Sequence, residues 1–200
     1  MKQISVLAVW LSILCSISTT CLRAQAIAPE KSAAAAAQSD TRFIANNIRD
    51  HQQAMILLKT AMDRSSNPRV RELAEGMMAD HTSMLYSLQE LSTAGSGGSD
   101  LSAAGPSTAP VDAAALQKRL NGLSGADFDT TWVSNMLLLH QVKLDELTQA
   151  KTTVTNPQLK MAVTEAIPMI RKQRSTLSSL QKELARAAML QKKQAASRQR

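Results

Sequence analysis

Apolar residues recur at steps of three and four along most of the chain. Ile44, Ile48, His51, Met55, Leu58 and Met62 advance by 4, 3, 4, 3 and 4, one face of a helix from about Ser39 to Arg64. Ser65-Ser66-Asn67-Pro68 interrupts it, with Asn67 a strong N-cap and Pro68 suited to a first helical position. A second stripe follows in Val70, Ala74, Met77, His81, Met84, Leu88 and Leu91, and Gly95 stops it. Residues 95–112 are rich in Gly, Ser, Ala and Pro and predict a flexible linker. A short helix over Ala113 to Leu120 comes next, and Ser124 with Asp127 resembles a capping box. The third long stripe is Val133, Met136, Leu137, His140, Leu144 and Leu147. Thr155-Asn156-Pro157 restarts the chain into a fourth, Val163, Ala166, Ile170, Gln173, Leu177, Leu180 and Leu184. Pro168 lies inside this last helix and is expected to kink it.

These segments repeat at an offset of 89 residues. Phe43 maps onto Trp132, Ile48 onto Leu137, His51-Gln52 onto His140-Gln141, Asn67-Pro68 onto Asn156-Pro157, and Leu88 onto Leu177. No segment shows convincing strand alternation. The expected fold is all-α: a four-helix bundle over residues 39–184, built from two antiparallel helical hairpins joined by the linker.

The N-terminus has a different character. Met1-Lys2-Gln3 precedes an uncharged, mostly apolar run from Ile4 to Ile17, and Ala24-Gln25-Ala26 has the A-x-A form of a cleavage site. This is the layout of a secretory signal peptide over residues 1–26, cleaved after Ala26. The expected location is therefore extracytoplasmic, most simply the periplasm. A lipoprotein fits worse, because Leu14 is too large before Cys15 and Ser18 stands where Leu is usual before Cys21. Later apolar stretches are all interrupted by charge, so no transmembrane segment is expected after cleavage. Both cysteines fall inside the signal, which removes disulfides, thiolate metal sites and cysteine nucleophiles from the mature chain. Residues 27–38 are Ala-rich and read as disordered.

The candidate chemistry is concentrated in one place. All three histidines lie on apolar stripes of different helices, and the fourth stripe carries Gln173. His51 and His81 are equidistant in sequence from the Ser66 turn, and His140 and Gln173 from the Asn156-Pro157 turn. In antiparallel hairpins each pair is level, so His51, His81, His140 and Gln173 are predicted to form one polar layer in the core. Such a layer has two readings. It is a hydrogen-bonded stratum that fixes helix register, or it is a divalent-metal site of three imidazoles, His51, His81 and His140. In the second reading Asp80 and Asp129 add oxygen ligands or orient an imidazole. A di-iron carboxylate site is argued against, since Met78 and Leu137 stand where Glu-x-x-His needs glutamate. The methionines Met55, Met62, Met77, Met84 and Met136 read as core filler rather than as a metal site. Gly-x-Ser-x-Gly is absent, and Gly95-Ser96-Gly97-Gly98 leads to no Lys-Ser/Thr, so neither a hydrolase elbow nor a phosphate loop is indicated.

Several of these segments resemble an exported bacterial family catalogued as domain of unknown function 4142. They are Asn67-Pro68-x-Val70, Met77-Met78-Ala79-Asp80-His81-Thr82, Leu120-x-x-Leu123-Ser124-Gly125-Ala126-x-Phe128-Asp129, Trp132, His140-Gln141 and Ile167-Pro168. The likeness covers about Phe43 to Leu180 and implies a ferritin-like four-helix bundle. It implies no settled activity. This chain departs from the family pattern at Ala54, where a Glu is common, and at Gln173, where a His is common.

The net charge of +7 invites a nucleic-acid reading, but its distribution removes it. Residues 27–170 carry 12 Lys/Arg against 15 Asp/Glu, whereas residues 171–200 carry nine Lys/Arg against Glu183 alone. The body is mildly acidic, and the positive charge belongs to a terminal helix and a basic tail over residues 185–200. Five aromatic residues also leave little for base stacking. No nucleic acid is expected as a partner. The leading expectation is an exported helical bundle that is not an enzyme, with a structural, stress-related or binding role and no assigned cofactor. One alternative is metal binding or storage at the core histidines. Another is an adaptor that binds anionic envelope partners through the basic C-terminal helix.

Overall fold

The computed structural model describes residues 21–95, 104–105 and 111–199. Most of the signal stretch and most of the 95–112 linker lie outside them. The described residues form five helices and, among them, no strand, so the protein is all-α. They are α1 (Cys21–Arg64), α2 (Pro68–Gly95), α3 (Ala113–Asn121), α4 (Gly125–Thr153) and α5 (Pro157–Arg198). The chain divides into two compact units, residues 1–35 and 36–200. In the first, the described part is helical and residues 31–35 are exposed. The second holds the core.

Helix α1 begins well before Ser39 and runs through the Ala-rich stretch that the sequence marked as disordered. Ala33 to Ala37 lose no side-chain entropy in a helix, so the stretch stays helical while burying little. At the other end α5 passes Pro168 and continues to Arg198. The asparagine caps form as expected. Asn67 Oδ1 accepts from Arg69 N (2.9 Å), and Asn156 Oδ1 accepts from Gln158 N and Leu159 N (2.9 and 3.0 Å). Ser124 makes no side-chain cap bond. Gly125 instead adopts φ +56°, the left-handed region that glycine tolerates best, so α4 starts from a backbone turn. Asp112 supplies the cap of α3, accepting from Ala114 N and Ala115 N.

The four long helices share two apolar clusters. One contains Leu57, Leu58, Val70, Met77, Phe128, Trp132, Met136 and Leu177, and α3 adds Leu116 and Leu120. The other contains Ile44, Ile48, Leu88, Leu144, Leu147, Leu159, Val163 and Ile170. Along every long helix the polar candidate falls between the two sets: His51 between Ile48 and Leu57, His81 between Met77 and Leu88, His140 between Met136 and Leu144, Gln173 between Ile170 and Leu177. Contacts between α4 and α5 descend one helix as they climb the other, with Ser134 meeting Gln181 and His140 meeting Gln173.

Two buried aspartates hold the interhelical turns. Asp129 on α4 accepts from Ser65 Oγ (2.5 Å) and Ser66 Oγ (3.5 Å), at the α1–α2 turn. Asp40 on α1 accepts from Thr155 Oγ1 (2.8 Å), Thr155 N (3.1 Å) and Asn156 N (2.7 Å), at the α4–α5 turn. The two aspartates are themselves 89 residues apart, so the internal repeat carries its own reciprocal clamp. Trp132 adds a tie by donating its indole N–H to Leu57 O (2.9 Å). Arg64 closes the C-terminal end of α3 by donating to the carbonyls of Leu120 and Leu123, and its guanidinium stacks 5.3 Å from the Phe128 ring centre.

Replacing either clamp removes charge-assisted bonds made by a buried carboxylate. Asp129→Ala and Asp40→Ala are each expected to lower unfolding stability by about 2–3 kcal/mol. The two sites share no partners, so the losses should add in the double variant. Urea unfolding measures both; a loss confined to one site would break the reciprocity.

Candidate functional site

Helical spacing brings the four polar side chains to one level. His51, His81, His140 and Gln173 are 6%, 7%, 4% and 5% exposed. His51 Nδ1 and His81 Nδ1 are 2.9 Å apart, so one ring donates its N–H to the other. The His81 and His140 ring centres are 6.3 Å apart and edge-on. His140 Nδ1–H donates to the Met136 carbonyl (2.8 Å), one turn earlier on α4. Its Nε2 lies 3.1 Å from Gln173 Oε1, and Gln173 Nε2–H donates to Asp80 Oδ2 (2.8 Å). The layer thus reads as two linked pairs, His51 with His81 and His140 with Gln173, the second ending on a carboxylate.

The structure separates the two aspartates that sequence grouped with the histidines. Asp80 reaches the layer, but through the Gln173 amide rather than by touching an imidazole. Asp129 does not reach it, being bonded to Ser65 and Ser66 at the α1–α2 turn. Among the described residues, no three His, Cys, Asp or Glu side chains are arranged to hold a metal ion. Both nitrogens of His140 have protein partners. Among the described residues, His81 Nε2, by contrast, is buried with no hydrogen-bond partner.

A cavity of about 90 Å³ adjoins the layer, lined by His51, Ala54, Leu57, His81, His140 and Lys143 among others. A water occupies roughly 30 Å³ in the liquid, so the space suits a few waters or one small group. At its edge Lys143 donates to Asp50 Oδ2 (2.8 Å), Glu146 Oε2 (2.7 Å) and Asn47 Oδ1 (3.2 Å). Sequence reasoning missed this knot, because its members sit on α1 and α4 and carry no local signature.

Burial decides the charge state of the rings. Desolvation, then the Lys143 ammonium, pushes His51 down to about 4, with Asp50 pulling weakly the other way. Desolvation and the neighbouring imidazoles hold His81 well below the ordinary value. His140 is also lowered by burial, although its bonds to Met136 and Gln173 favour the doubly protonated ring. Burial thus favours the neutral form of all three rings, against the pull of the two oxygen acceptors that His140 faces, and where the rings stay neutral the unfolded chain binds more protons below about 6.5.

Stability is thus full above that value and is lost as pH falls. The window for His51 runs from 6.5 down to about 4. The slope is about 1.4 kcal/mol per pH unit for each imidazole still neutral in the fold. Urea midpoints at successive pH values below neutrality should show this decline, and His51→Gln should make it shallower. A pH-independent midpoint over that range would contradict the neutral layer.

A family model described as Domain of unknown function (DUF4142) matches residues 25–180. No curated protein and no solved structure matches the chain. The matched span contains both clamps, both asparagine-capped turns and every member of the polar layer. The chain belongs to the DUF4142 family.

Proposed function

We propose that the protein is an exported, non-enzymatic, ferritin-like four-helix bundle of two antiparallel hairpins, with a structural, stress-related or binding role outside the cytoplasm. The observation that carries this reading is the commitment of the imidazoles to the protein itself. His51 bonds His81, and His140 bonds both Met136 and Gln173. A general base needs a nitrogen directed at a substrate and a nucleophile within reach. Here the rings face one another across helices, and Asp80 orients an amide rather than an imidazole. Export rests on the tripartite N-terminus, and the hairpin architecture on the 89-residue repeat and the descending α4–α5 contacts.

A double-mutant cycle tests the register role. His140→Leu and Gln173→Leu should each destabilise, with a coupling of about 1 kcal/mol between them. Zero coupling would sink the role of the layer in stability. Turnover by the purified protein that disappears in His81→Ala or His140→Ala would sink the non-enzymatic reading.

One observation favours a second reading, divalent-metal binding. Among the described residues His81 Nε2 is a buried nitrogen with no hydrogen-bond partner, and His81 and His51 line the same cavity. Metal content of untagged protein, with and without His51→Ala, His81→Ala and His140→Ala together, decides it. Stoichiometric metal lost in the triple variant supports the site; equal content in both ends it.

A further inference from the structure

Helix α5 is two structures end to end. From Leu159 to Leu180 it buries an apolar stripe. From residue 185 onward every described residue is exposed. The buried stripe of Gln173, Leu177, Leu180 and Leu184 continues geometrically as Ala187, Ala188, Gln191 and Ala195, side chains too small or polar to extend a core. At 3.6 residues per turn, the opposite face carries Arg171, Ser175, Lys182, Arg186 and Lys193. Met189 and Leu190 flank that same outward face, 65% and 60% exposed.

The charge on this face is not neutralised from within. Glu183 is the one carboxylate after residue 170, and it pairs with Arg69 of α2. Among the described residues Arg171, Lys182, Arg186, Lys192 and Lys193 form no ion pair. Exposed lysines and arginines are ordinary by themselves. Large exposed apolar side chains set among them are less so, because water solvates the cations and not Met189 and Leu190. An environment that suits both is anionic at its surface and apolar a few ångströms below. That is the boundary of a bilayer bearing anionic lipid. A soluble polyanion matches the cations and offers nothing to the two apolar groups.

We propose that the outward face of α5, from Arg171 to Arg198, docks the protein along an anionic lipid surface. Its cations lie at the level of the lipid phosphates, and Met189 and Leu190 enter the headgroup–acyl boundary. No described helix is long and apolar enough to cross a membrane, so the attachment is peripheral.

Co-sedimentation of the full chain with vesicles tests this, comparing mixed phosphatidylglycerol–phosphatidylcholine with phosphatidylcholine alone. The apolar N-terminal stretch is common to every variant, so the anionic-to-neutral binding ratio isolates α5. The ratio should be high at low salt and fall as salt rises. Lys182→Gln, Arg186→Gln and Lys193→Gln together should weaken anionic binding about 100-fold, at roughly fivefold per cation. Met189→Ser with Leu190→Ser should weaken it about tenfold or more while leaving helicity by circular dichroism unchanged. Equal binding to both vesicles overturns the proposal, as does a triple variant that binds like the parent. If the Met189–Leu190 variant binds vesicles as tightly as the parent and soluble polyphosphate competes fully, the face is a polyanion site and the lipid proposal fails.

Discussion

An imidazole buried among aliphatic side chains must find a hydrogen-bond partner at its own level, because an unmet nitrogen costs about 1–3 kcal/mol. Four helices here each place one such group, or an amide, between two apolar clusters. Apolar contacts alone constrain axial position weakly, since a Leu displaced by one turn still meets aliphatic neighbours. A displaced His51 or His140 would leave its partner and enter a hydrocarbon cluster. One turn is about 5.4 Å, far beyond the 2.9 Å between the His51 and His81 nitrogens. The layer therefore penalises sliding in a way that the surrounding leucines cannot.

The aspartate clamps apply the same logic at the turns. Asp129 and Asp40 each lie on the first long helix of one repeat and grip the turn of the other. This reciprocity ties the repeats together without a covalent crosslink in the core. The layer follows the repeat only in part. His51 maps onto His140, whereas His81 maps onto Ile170 and Gln173 onto Met84. The polar residues of α2 and α5 are displaced by three positions relative to the offset, and three positions is nearly a full turn on the same helix face. An inexact repeat thus still builds a single level.

What could be read from sequence follows from the range of each interaction. The stripes, the asparagine caps and the four-residue layer rest on spacing within one helix or around one turn, and they are found where spacing puts them. The Ala33–Ala37 stretch was read as disordered because it has nothing to bury, yet alanine forms helix without burial. Asp129 was grouped with the histidines on its chemistry alone. The offset that maps it onto Asp40, just as it maps the Ser66-Asn67-Pro68 turn onto Thr155-Asn156-Pro157, would have identified a clamp. The Lys143 knot and the partnerless His81 nitrogen depend on how α1, α2 and α4 come together. No local pattern encodes them.

Ala54 brings no carboxylate to the layer. It lines the cavity beside His51 and His81. A carboxylate there would face the imidazoles and favour their protonated forms. Alanine leaves space instead, and the nearby carboxylates of Asp50 and Glu146 are already held by Lys143. That ammonium itself disfavours a charge on His51. With burial acting in the same direction, His51 and His81 satisfy one another through a neutral hydrogen bond, while the oxygens of Met136 and Gln173 beside His140 favour its protonated form. Alanine at position 54 thus leaves the layer to directional hydrogen bonds rather than to a neighbouring carboxylate. Within the layer, among the described residues, His81 Nε2 is buried with no hydrogen-bond partner.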